Sequence, residues 1–168
     1  MNFEVVTANI AKQSDIEAVV NSANANLRFG SGVAGAIHSA AAPELEAYCA
    51  QYAPLAFGEA LVTPAFKLPN KFVIHTRAAH YLHEVNAVAV LSTCMYSVIR
   101  AASVNNLTSI AVPAIGAGVF KFPRELAAEI MATALQSSLS SKSPLQRVRI
   151  CVAEAETERV FKAAFGIK

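Results

Sequence analysis

Short apolar runs alternate along the chain with longer stretches in which apolar residues recur at helical spacing. Residues 3–7, 18–21, 60–63, 72–76, 109–113 and 147–152 read as strands. Several of these are apolar throughout, as expected of strands covered on both faces. The intervening segments 33–42, 44–51, 85–104, 124–139 and 156–164 have helical length and period. This alternation predicts an α/β domain of three layers, α/β/α. Pro43 and Pro123 stand where a first-turn proline would open the second and fourth helices. The Ser-rich segment 137–143 reads as an exposed loop, and no repeat or linker divides the chain, so one domain over residues 1–168 is expected.

Composition supports that picture. Of 168 residues, 54% are hydrophobic, enough for a sizeable core. The net charge of +2 comes from scattered Lys and Arg without a basic cluster, so nucleic acid is not an expected partner. Cys49, Cys94 and Cys151 form an odd, unpatterned set that fits reduced core thiols. No segment reads as the run of about 18 apolar residues that spans a bilayer, and the start of the chain lacks a basic n-region followed by an apolar run. The expectation is a cytoplasmic protein with no membrane partner.

The chemistry concentrates between residues 18 and 42, where a strand feeds an Asn-rich and then Gly-rich loop that opens a helix. Gly30, Gly32 and Gly35 let backbone approach a ligand closely, and the first helical turn offers unpaired N–H groups to an anion. Asn21, Asn24 and Asn26 add neutral donors and acceptors suited to sugar hydroxyls. A second glycine turn, residues 112–123, follows the fifth strand and should emerge at the same carboxyl edge of the sheet. Two such loops across a cleft would hold a diphosphate through backbone dipoles, without a basic patch. Gly116 and Gly118 could equally do no more than turn the chain.

Gly30-Ser-Gly32-Val-Ala-Gly35 also spells the dinucleotide fingerprint, which makes an oxidoreductase a remote alternative. Its context differs, because eight residues, 22–29, separate the strand from the first glycine.

Val20-Asn-Ser-Ala-Asn24, Gly30-Ser-Gly32-Val-Ala-Gly-Ala-Ile-His38, Leu68-Pro-Asn-Lys-Phe-Val-Ile-His75 and Pro113-Ala-Ile-Gly-Ala-Gly118-Val-Phe resemble, in order and spacing, the signature segments of macro domains. The resemblance spans nearly the whole chain. It implies a mixed six-stranded sheet between helices and a cleft for ADP-ribose, free or carried on a protein or metabolite. It implies no cofactor and no metal. Family members include readers of ADP-ribosylated proteins, hydrolases of mono-ADP-ribose and O-acetyl-ADP-ribose deacetylases. On this resemblance Asn24 contacts the distal ribose, while Gly30, Ser31, Gly32, Val33 and Ala34 embrace that ribose and its phosphate. Ile115, Gly116, Ala117, Gly118, Val119 and Phe120 form the opposing phosphate loop, and Asn9 and Ile10 receive adenine. His38 stands where bacterial hydrolases often carry a histidine, and a role in supporting the loop suits a lone His better than proton transfer. Asn21 fits either a ligand contact or a strand-end residue that satisfies backbone groups.

Departures from the pattern shape the expected activity. Ala34 replaces an aspartate held in many relatives to orient the attacking water, which weakens but does not exclude hydrolysis, since viral macro domains share this spelling. A non-catalytic reader is therefore the alternative. Asn9 replaces an aspartate that accepts from the adenine amino group; its amide oxygen still accepts, less strongly, at a cost of about 1 kcal/mol. An adenine-stacking aromatic is missing from residues 153–156, where Glu154 offers a carboxylate instead. Ser31 narrows the first loop, its hydroxyl free to meet a phosphate or the loop itself. His75, His80 and His83 show no metal-ligand spacing, and Cys94 has no partner that would activate it.

Overall fold

The computed structural model describes residues 1–168, all of the chain. Its central sheet has the strand order β1-β6-β5-β2-β4-β3. The strands are β1 (Asn2–Thr7), β2 (Ala18–Ser22), β3 (Ala60–Pro64), β4 (Phe72–Thr76), β5 (Ser109–Pro113) and β6 (Arg147–Val152). Every pairing is parallel except that of β3 with β4, so the sheet is mixed, with its antiparallel strand at one edge.

Apolar residues alternate between the two faces at the two-residue period of a strand. Ala18, Val20, Ile110, Val112, Val148 and Ile150 enter one core, packed under α3 (Ala87–Val104), α4 (Arg124–Ser138) and α5 (Ala155–Phe165). Val19, Ala111 and Cys151 enter a smaller core on the other face, under α1 (Gly32–Ala40) and α2 (Glu44–Cys49). Because both faces are covered, residues 18–20 of β2 and 110–113 of β5 can be continuously apolar. Three layers result, as the alternation of segments predicts.

Two details depart from the sequence reading. The segment 44–51 divides into α2 and a short 3₁₀ turn at Ala50–Tyr52. Helix α3, contrary to expectation, is long and apolar enough to meet the length and composition of a membrane span. Its apolar side, including Leu91, Cys94, Met95, Val98 and Ile99, is buried in the larger core against the sheet and α4. A buried core helix and a bilayer-spanning helix need the same stripe of side chains, and here the protein interior receives it.

The parallel strands β1, β6, β5 and β2 are neighbours, so their carboxyl ends share one edge. Chain leaving each of them at Ala8, Ala153, Ala114 and Ala23 therefore surrounds a common space.

Candidate functional site

That space is a cleft of about 410 Å³, within the range of small-molecule sites. Its walls are the turn after β1 (Ala8, Asn9, Ile10), the start of α1 (Ser31, Gly32, Val33, Ala36), the turn after β5 (residues 113–120) and the end of β6 with the start of α5 (Cys151, Val152, Ala153, Glu154, Thr157). Ser22 and Arg124 complete the lining.

The first wall is an exposed helix N-terminus. Ser31 takes extended backbone angles at the N-cap of α1, yet its hydroxyl caps no helical N–H, which leaves it free toward the cleft. Gly35 N–H reaches the Ser31 carbonyl at 3.4 Å, whereas the N–H groups of Gly32, Val33 and Ala34 have no backbone acceptor. Gly32 has φ +58°, a conformation that favours glycine. The loop before it is clamped by Asn24, whose Nδ2 donates to the Arg28 carbonyl (2.7 Å) while Oδ1 accepts from the Arg28 N–H (3.0 Å). This clamp holds Leu27, buried at φ +56°, in a conformation a leucine seldom adopts.

The opposing wall is shaped by Gly116, at φ +90° and pressed against the Phe122 ring and Leu91. Phe122 N–H donates back to the Gly116 carbonyl (2.8 Å), and Lys121 N–H to Gly118 (3.1 Å). The N–H groups of Gly116, Gly118, Val119 and Phe120 are left without backbone acceptors. From outside, Tyr81 N–H donates to the Phe120 carbonyl (2.8 Å) and fixes the loop to the segment before α3. Two sets of unpaired amides thus flank one cleft, an arrangement suited to a polyanion.

At the other end Asn9 lines the cleft, but its Oδ1 already accepts from the Ala11 N–H (2.9 Å). Glu154 Oε2 is paired with Arg124 Nη2 at 3.4 Å, and its side chain is 67% exposed, so this pair is worth little in isolation. Cys151 belongs to the lining, but it is almost fully buried in the smaller core and burial pushes its thiol pKa up to about 11, far from a nucleophilic thiolate.

Of the residues singled out from sequence, the structure brings Asn9, Ile10, Ser31, Gly32, Val33, the run from Ile115 to Phe120, and Glu154 into one lining. The others, Asn26 and Gly35 among them, stand outside it. Asn24 serves the loop backbone, as described, and Gly30 lies behind the lining, close to the Asn24 amide. Ala34 is 5% exposed and turned inward, because the second and third residues of a helix point in different directions. Asn21 is fully buried and outside the lining; its Nδ2 meets His75 Nδ1 at 3.0 Å and its Oδ1 has no partner, so its side chain satisfies no backbone group. His38 is 2% exposed and neither ring nitrogen has a hydrogen-bond partner. Burial lowers its pKa, opposed in part by Glu46, and it cannot exchange protons with a ligand in the cleft.

The burial of His38 gives a direct expectation. His38→Leu should leave ligand affinity within about threefold and keep or raise stability at pH 7, because it removes two unpartnered polar atoms. Urea denaturation and ligand titration of the variant check this, and lost binding with an intact fold would restore a role at the site.

Sequence reasoning missed Ser22, Ala36, Arg124, Cys151 and Thr157. Arg124 carried a usable signal, since it opens α4 directly after the second loop. Cys151 did not, because a lining residue at the end of a buried strand reads as core. The three other histidines are dispersed: His75 is buried in the sheet, while His80 and His83 stack on each other at 3.9 Å in the segment before α3.

The sequence model of the Macro domain matches residues 20–131, which include both loops. A macro domain-containing protein of Lactiplantibacillus plantarum is 34% identical over 168 residues, covering 99% of this chain and 97% of its own. An O-acetyl-ADP-ribose deacetylase of Klebsiella pneumoniae is 36% identical over 165 residues, covering 95% of this chain and 93% of its own. In three dimensions the Oceanobacillus iheyensis macrodomain with ADP superposes with a TM-score of 0.91 at 28% identity, covering 98% of this chain and 90% of that one.

Proposed function

Starting from the chain's membership of the macro domain family, we propose that its cleft binds ADP-ribose and hydrolyses ADP-ribosyl derivatives. The observation that carries this reading is the pair of opposed loops whose amides, Gly32 to Ala34 on one side and Gly116 with Gly118 to Phe120 on the other, have no acceptor of their own. A diphosphate between them would be held by dipoles that need no reorganisation as charge develops. The names of relatives, an O-acetyl-ADP-ribose deacetylase among them, support the choice of ligand.

The polar side chains lining the cleft are Asn9, Ser22, Ser31, Arg124, Cys151, Glu154 and Thr157, and none forms a base paired with a nucleophile. The proposed reaction therefore runs by position. The loops fix the diphosphate, the Asn24 clamp sets the first loop, and a water is held between ligand phosphate and loop backbone. In an ADP-ribosylated side chain this water attacks the anomeric carbon of the distal ribose, breaking its bond to the protein oxygen. In O-acetyl-ADP-ribose it attacks the ester carbon, breaking its bond to the ribose oxygen. The proton the water loses passes to the leaving oxygen or to solvent. Holding reactants in an attack geometry can supply about 7–11 kcal/mol of a barrier, so an alanine at position 34 leaves room for turnover.

The test is release of ADP-ribose from a mono-ADP-ribosylated protein and from O-acetyl-ADP-ribose. Turnover of either is expected. Tight binding of ADP-ribose without turnover of either substrate would make the protein a reader, the outcome that the alanine at position 34 favours.

A further inference from the structure

The base end of the cleft has a polarity that the sequence alone does not give. Asn9 is held rigidly: its carbonyl accepts from the Lys12 N–H (3.0 Å) and from Gln13 Nε2 (2.8 Å). Gln13 is itself buried, and its Oε1 accepts from Arg149 Nη1 (2.8 Å), which is anchored on Asp15. The side chain is fixed as well. A backbone N–H can only donate, so the amide atom that meets Ala11 N–H at 2.9 Å must be Oδ1. The atom that Asn9 has left to offer is Nδ2, which donates to no group of the protein, and beside it the Ile10 N–H has no backbone acceptor.

Donors of two adjacent residues, both in the cleft lining, are therefore left without a protein acceptor at the end formed by the turn after β1. The acceptor nearest in kind, the Glu154 carboxylate, is turned to Arg124 and largely exposed. An aspartate in the same turn would spend one oxygen on Ala11 N–H and present the other as an acceptor. Asn9 presents a donor instead. An exocyclic amino group gains nothing from this edge and leaves only the ring nitrogen beside it to accept from one donor, whereas a carbonyl oxygen has two lone pairs with which to accept from both Nδ2 and the Ile10 N–H.

We propose that Asn9 makes the base end of this cleft select a nucleobase carbonyl over an exocyclic amino group, so that the 6-oxopurine ligand inosine diphosphate ribose binds at least as tightly as ADP-ribose. This inference rests on the proposal that the cleft holds a nucleoside diphosphate ribose. It reverses the expectation drawn from sequence that the amide oxygen still accepts from adenine.

Calorimetric titration of the intact protein with ADP-ribose and with inosine diphosphate ribose tests it, with Asn9→Asp and Asn9→Ala alongside. The wild type is expected to bind the inosine ligand as tightly as ADP-ribose or more so. Asn9→Asp should swing the ratio toward ADP-ribose by about tenfold, the scale of one hydrogen bond changed from mismatched to charge-assisted. Asn9→Ala, which removes the donor, should cost inosine affinity and spare that for ADP-ribose. A wild type that prefers ADP-ribose, or a ratio unmoved in both variants, overturns the inference and leaves the ADP-ribose reading standing. If neither ligand binds the wild type, both fall.

Discussion

Gly35→Ala should lower turnover of an ADP-ribosylated substrate about 100-fold, the scale on which a displacement of about 1 Å acts in a positioned site, and weaken ADP-ribose binding with it. A Cβ on Gly35 would overlap the Gly30 carbonyl oxygen, which is backbone and cannot rotate away. The Phe29 ring lies behind it, 4.0 Å from the same Cβ, and the Asn24 clamp on Arg28 fixes the loop one residue earlier. The loop must therefore move as a unit, and with it the register of Ser31 and the amides of Gly32 to Ala34 toward the opposite wall. Overpacking of this kind also destabilises by about 1–3 kcal/mol, so denaturation should show a lowered midpoint with an unchanged slope. A variant that binds ADP-ribose as the wild type does would show that the close passage of α1 under Gly30 has no part in the site.

The second large effect is on stability and comes from pH. His75 is fully buried, and its hydrogen bonds specify the neutral ring. Asn21 Nδ2 is a donor, so Nδ1 accepts; Thr63 Oγ1, which donates to the Pro64 carbonyl, accepts in turn from Nε2 at 3.0 Å. A second proton would set an N–H against the Asn21 amine. Burial, with a smaller contribution from neighbouring His38, accordingly lowers the pKa to about 3. A folded-state pKa below the unfolded value of about 6.5 gives stability that is complete above that value and is lost as pH falls toward 3. His38, also lowered, acts with the same sign. The carboxylates Glu4 and Glu17, held below their ordinary values by Arg147 and by the Thr108 N–H respectively, begin to lose their share only near pH 4.5. The window from pH 7 to 5 thus belongs to histidines, with His80, lowered by partial desolvation and by His83 and Lys121, acting in the same direction, and His75 alone should remove about 2 kcal/mol there. Urea denaturation at half-unit steps should show this slope, with His38→Leu reducing it, and a flat profile from pH 7 to 5 would contradict the buried neutral pair.

Strands and helices were legible because their signals are local. Continuous apolar runs such as 109–113 and the periodic stretch 124–139 leave little choice of element, and the observed bounds of β4, β5 and β6 coincide with the runs read from sequence. The two glycine loops were legible too, since a turn that needs positive φ, as at Gly32 and Gly116, selects glycine. The fate of polar side chains was not. Asn21 and Asn24 are the same residue type three positions apart, yet one is sealed beneath the sheet and the other clamps a loop; the difference lies in His75 and Arg28, which only the folded chain brings to them. Asn9 is the sharpest case, since its position is legible and its polarity depends on which atom the Ala11 N–H engages. The left-handed residues Leu27 and Lys121, which bend the two loops, leave no compositional mark at all.

The central claim is that unpaired amides on two opposed loops hold the diphosphate of ADP-ribose, and amide-resolved NMR of the isotope-labelled protein reads those groups directly. On titration with ADP-ribose, the amide resonances of Gly32, Val33 and Ala34 and of Gly116, Gly118, Val119 and Phe120 should shift together and saturate at one ligand per chain. Saturable binding that leaves both sets of amides unmoved, or no binding at all, would contradict it.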